Sequence, residues 1–101
     1  MAATPEAKVK RKVVAMLKER GAYYFYPVTS GYGASGVPDV VVCYRGAFIG
    51  VECKAGKNKP TPLQLDNLRR IAEAGGTALV INEENIHELG NCLDALEKAA
   101  Q

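Results

Sequence analysis

Two apolar, β-branched runs joined by Arg45-Gly46 restrict what this chain can fold into more than any other stretch of it. Val37 to Tyr44 and Ala47 to Lys54 have the make-up of strands and the dipeptide between them that of a turn, so the segment predicts a β-hairpin. A loop of two residues or of four gives the same register, with Asp39 directly opposite Glu52 and their Cβ atoms roughly 5 Å apart. Arginine is a poor first residue for the tight two-residue turn, which favours the four-residue loop Tyr44 to Ala47. A loop one residue longer or shorter would send the two acids to opposite faces. Side chains alternate along a strand, so Glu52 and Lys54 share a face and Cys53 points away from it.

Two carboxylates and an amine on one patch suit metal-assisted phosphodiester cleavage. A hard cation such as Mg²⁺ prefers oxygen ligands and keeps several waters, so Asp39, Glu52 and a substrate phosphate suffice to hold it. Lys54 can orient or deprotonate the attacking water. The competing reading is a set of solvated charges on the outer face of a sheet. The first helix bears on that choice. Thr4 is a suitable N-cap, Pro5 a favoured first residue, and Gly21 a stop after Arg20. Val9, Val13 and Leu17 form its apolar stripe, and at about 100° per residue Glu6 lies in line with them. The acid near the helix N-terminus complements the dipole, and its inward facing also makes it a third metal ligand, direct or through water.

Gly36-Val37-Pro38-Asp39, Glu52-Cys53-Lys54, Gln64 in the next helix and Glu6 in the first together resemble the PD-(D/E)XK nuclease superfamily. Within it the chain is most similar to stand-alone VRR-Nuc domains of phages and bacteria, from the first helix to at least the strand around Leu79. The resemblance implies a restriction-endonuclease-like core and a Mg²⁺-dependent endonuclease, with Mn²⁺ as a substitute. Asp39 and Glu52 then correspond to metal ligands, assisted by Glu6 and the carbonyl of Cys53, and Lys54 to the catalytic lysine. Gln64 matches a further catalytic position, although Thr61-Pro62-Leu63-Gln64 is also a capping box. Stand-alone members are similar to Holliday-junction resolvases that act as homodimers, so the expected partners are branched DNA and a second copy of the chain. A flap or restriction-like nuclease on the same scaffold, or a non-catalytic DNA-binding module, is the alternative.

With 13 Lys and Arg against 11 acids the net charge is +2, too mild for a non-specific DNA coat. Local clusters matter more. Lys57 and Lys59 follow the Glu-x-Lys strand and make the better phosphate contacts, while Lys8, Lys10, Arg11 and Lys12 on the first helix also fit a solvated face. Gly31-Tyr32-Gly33-Ala34-Ser35-Gly36 matches a dinucleotide fingerprint, but a strand rather than a helix follows, and Pro38 keeps Val37 from helical angles. No nucleotide cofactor is expected. The loop can instead offer phosphate contacts through Ser30, Gly31, Gly33 and Ser35, or serve as a plain turn.

Cys43, Cys53 and Cys92 lack metal-site spacing, two of them in apolar strands where cysteine acts as a small hydrophobe, and His87 suits a surface position. No apolar leader or membrane span is read, so a soluble, intracellular protein is expected, with residues 1–101 forming a single domain. The element order reads α-β-β-β-α-β-α. Ala78 to Ile81 suits a buried strand paired in parallel after a crossover helix, giving an α/β fold with a mixed sheet of about four strands flanked by helices.

Overall fold

The computed structural model describes residues 3–28 and 36–101. Helix α1 (Pro5–Arg20) leads to strands β1 (Tyr23–Phe25), β2 (Val40–Tyr44) and β3 (Ala47–Cys53). Helix α2 (Pro62–Glu73), strand β4 (Thr77–Ile81) and helix α3 (His87–Ala99) follow. The four strands form one mixed sheet in the order β1-β2-β3-β4, antiparallel except between β3 and β4. This is the anticipated architecture, with a first strand that stops at Phe25 instead of including Tyr26.

The hairpin turn is tighter than the sequence suggested. Tyr44 pairs with Ala47, leaving a two-residue loop in which Arg45 and Gly46 both have positive φ, 52° and 81°. That is the hand of turn whose twist matches the flanking strands. Gly46 adopts it freely, and Arg45 gains a cation-π contact, its guanidinium carbon 5.5 Å from the Tyr44 ring centre. The register is the one deduced from the sequence. Val40 pairs with Val51, so the next position outward sets Asp39 against Glu52.

Local chemistry also fixes both ends of α1. The Thr4 hydroxyl accepts from the Ala7 N–H at 3.1 Å, Pro5 occupies the first turn, and Gly21 closes the helix at φ 73°. Its stripe of Val9, Val13 and Leu17 packs with Leu89 and Leu93 of α3 on Val40, Val42, Tyr44, Ile49, Val51, Cys53 and Ile81. Arg20 ties the two helices by a 2.6 Å ion pair with Asp94. Helix α2 covers the other face. It can approach closely because Gly50 lacks a side chain: a Cβ there would stand 2.6 Å from the Ile71 Cδ1. Cys43, read from the sequence as a small strand hydrophobe, is exposed on this side, whereas Cys53 is buried. Among the described residues no helix is long and apolar enough to cross a membrane.

Candidate active site

The hairpin brings Asp39, Glu52 and Lys54 to one end of the sheet. Glu52 is only 1% exposed, and its Oε1 has no hydrogen-bond partner. Lys54 Nζ lies 3.5 Å from Oε2, too far for a strong hydrogen bond, and the lysine side chain is itself 12% exposed. Asp39 is held by a 2.8 Å bond from the Cys53 N–H to its Oδ2, so the strand backbone aims one carboxylate beside the other. Burial, reinforced by the Asp39 charge and opposed by Lys54, pushes the Glu52 carboxyl up to about 7. The Cys53 thiol is driven to about 12 by burial first and then by the same two acids, which makes it inert as a nucleophile.

A buried carboxylate oxygen without a donor is a destabilising feature that calls for an occupant. An adjacent second carboxylate and an all-oxygen donor set suit a hard divalent cation better than a soft one. The fit rests on a pair of acids. Among the described residues no three His, Cys, Asp or Glu side chains come close enough together to form a closed metal cage. Glu6 belongs instead to the wall of an adjoining cleft of about 200 Å³, which it lines with Thr4, Ala7, Lys10, Asp39 and Cys53. The inward facing deduced for Glu6 is therefore found, with Asp39 shared between the cleft and the buried pair.

The remaining predicted residues divide. Gln64 forms the anticipated capping box: its Oε1 accepts from the Thr61 N–H at 2.9 Å, and its own N–H donates to the Thr61 hydroxyl at 3.2 Å. Lys57 lines a groove that shares Thr4 and Glu6 with the cleft, and Lys59 is exposed close by in sequence. Ser30, Gly31, Gly33 and Ser35 lie outside the described residues. Lys10 is the residue that sequence reasoning passed over. It was read only as one cation of a helical run, yet it stands in the cleft opposite Asp39. Its spacing four residues after Glu6 was the available signal, since such pairs share a helix face.

Residues 5–90 match the profile of the family described as archaeal Holliday junction resolvase (Hjc). The chain belongs to that family. It is a DNA endonuclease, of a kind that generally works with a divalent cation. A curated relative, "Putative nuclease p44" of Acyrthosiphon pisum secondary endosymbiont phage 1, is 31% identical over 85 residues, spanning 83% of this chain and 89% of that protein. Among solved structures, a VRR-Nuc domain superposes with a TM-score of 0.74 at 26% identity, covering 88% of this chain and 97% of the other. A second VRR-Nuc domain protein superposes at 0.65, covering 95% and 88%, and at 17% identity it speaks for the fold alone. The VRR-Nuc resemblance read from the sequence is thus borne out for this resolvase-family nuclease.

Proposed function

We propose that this nuclease is a structure-selective endonuclease that resolves four-way DNA junctions as a homodimer, using Mg²⁺ or Mn²⁺ at Asp39 and Glu52. The observation that carries the reading is the buried Glu52 carboxylate with an unpartnered Oε1, next to Asp39 and Lys54. Asp39 and Glu52 hold the cation, with Glu6 and the Cys53 carbonyl as auxiliary ligands. When bound, such a cation neutralises charge on the phosphate and acidifies water. Lys54 Nζ orients the attacking water or takes its proton, kept in place by Glu52. Gln64 retains its amide NH₂ for a phosphate oxygen, because the cap engages Oε1. Lys57 and Lys59, with Ser30, Gly31, Gly33 and Ser35, contact the DNA backbone. Cleavage leaves 5′-phosphate and 3′-hydroxyl ends. Each chain carries one such set of residues and a junction needs two symmetric incisions, so two copies act on one DNA about a two-fold axis.

The test is incubation of purified protein with four-way junctions, flaps and linear duplex in Mg²⁺, Mn²⁺ or EDTA. Paired nicks on opposing junction strands are expected with either metal and none in EDTA, with a light-scattering mass near twice the 10.8 kDa monomer. Asp39→Asn, Glu52→Gln and Lys54→Ala should each abolish cutting. A monomer that prefers flaps or linear DNA would remove the resolvase assignment, and full turnover by any of the three variants would remove that residue from the chemistry.

A further inference from the structure

Lys10 does more than line the acidic cleft. It also forms one end of a second depression, of about 560 Å³, that runs along α1 between Arg11, Val14 and Lys18 and is closed by Tyr26 beyond the end of β1. The two depressions share Ala7 and Lys10 and so adjoin each other along α1. Among the described residues no acidic side chain lines the groove, whereas Glu6 and Asp39 line the cleft. The surface therefore changes sign at Lys10. Arg11 and Lys18 are exposed and in no ion pair with another residue among the described ones.

Tyr26 gives this basic track a second chemistry. The residue is 45% exposed, with the Lys10 ammonium over its ring at 4.4 Å from the centre and the Tyr24 ring edge-on at 6.0 Å. An aromatic ring held from two sides and still open to solvent is a stacking platform, and a positively charged groove beside such a platform is how proteins hold unpaired nucleotides. Lys10 and Lys18 are eight residues apart on one helix, roughly 12 Å along its axis. That is the axial span of about three to four phosphates on one strand. A base within an intact duplex presents no free face to a side chain, so the platform selects an unstacked one.

We propose that the groove takes the DNA strand leaving the acidic cleft, with its phosphates on Lys10, Arg11 and Lys18 and an unpaired base stacked on Tyr26. The proposal rests on the nuclease reading above for the direction of the strand, and it adds a preference for substrates with an unpaired nucleotide within a few positions of the cut.

Fluorescence anisotropy in EDTA, where no turnover is needed, tests it on a four-way junction bearing an unpaired base and on a perfect duplex of equal length. Arg11→Gln combined with Lys18→Gln should weaken junction binding at least tenfold and flatten the dependence of log affinity on log salt by about two. Tyr26→Leu should weaken the unpaired-base junction about fivefold or more and leave the duplex unchanged, with Tyr26→Phe restoring wild-type binding. Arg70→Gln, in the last turn of α2 against the opposite face of the sheet, serves as the charge control and should leave binding unaltered. Circular dichroism melts establish that each variant is folded, which the exposure of these side chains favours. Binding by the double variant within twofold of wild type, or a Tyr26→Leu protein that binds the junction like Tyr26→Phe, would overturn the proposal. A wild type that binds through the groove and never cuts would instead sink the cleavage mechanism and leave the groove standing. A protein that cuts with the groove variants binding normally would do the reverse.

Discussion

Replacing Glu52 by glutamine should make this protein more stable, and by an amount that depends on pH. A carboxyl held at about 7 in the native state, against 4.5 in the unfolded chain, binds its proton more tightly when folded. The native state therefore loses stability as pH rises through that interval and carries the whole penalty above it, roughly 3 kcal/mol. Glutamine keeps the shape and has no charge to bury. At pH 8 the variant escapes that penalty, which already includes the favourable pull of Lys54 on the Glu52 charge. The gain is about 3 kcal/mol, or about 15 °C in melting temperature for a chain of this length. At pH 5 the wild-type Glu52 is neutral when folded and Lys54 is equally unpaired in both proteins, so the gap should shrink to under about 1 kcal/mol, the part left by ionisation of the unfolded carboxyl. Urea unfolding in EDTA at the two pH values measures the difference directly. The same stability gap at pH 5 and pH 8, or a glutamine variant less stable at pH 8, would refute the claim that burial and Asp39 hold this carboxyl above its ordinary range.

Added Mg²⁺ should also stabilise wild type, by about 1.4 kcal/mol at ten times the dissociation constant, and Asp39→Asn much less; equal shifts in melting temperature would disprove the carboxylate pair as the binding site. Gly36→Ala should destabilise by roughly 2–3 kcal/mol in urea, because φ is 78° and a Cβ would stand 2.6 Å from the Leu63 carbonyl carbon. A near-neutral result would mean that the start of α2 is not packed on this glycine. Thr61→Ala and Gln64→Ala should each lower stability by about 1 kcal/mol through loss of the cap. Only Gln64→Ala should also slow cleavage, and wild-type cutting by that variant would reduce Gln64 to a helix cap.

The parts of this fold that could be read in advance are those governed by short-range rules. The caps of α1 and α2, the hairpin register and the separation of Cys53 from Glu52 and Lys54 depend on residues within a few positions of one another. Turn length was misjudged because the arginine preference was weighed without its neighbour: Tyr44 supplies the ring on which Arg45 rests. The depth of Glu52 was also hidden. Alternation places it on a face, but its near-complete burial depends on elements that arrive later in the chain, and no local pattern around Glu52 encodes them. Lys10 escaped for the related reason that a run of cations on one helix reads as solvated surface until the strand end that faces it is known. The three acids were each placed correctly by face, yet face alone does not reveal that Glu6 stands apart from the Asp39 and Glu52 pair.

The sheet order has a kinetic side. Strands β2 and β3 are joined by two residues, and hairpins of this kind close in roughly 1–10 μs. Strand β4 pairs with β3 only across the whole α2 crossover, setting Val80 against Glu52 and Ile81 against Cys53. Until that long-range pairing forms, β3 is an edge strand and Glu52, already beside Asp39, lacks the cover that β4 gives it. The acidic pair thus exists early as a shape and acquires its electrostatic character late, when β4 docks. The same order holds for opening in the native state. If, as proposed, Asp39 and Glu52 hold a cation only while β4 is docked beside β3, amide exchange along Thr77 to Ile81 should slow when metal is added.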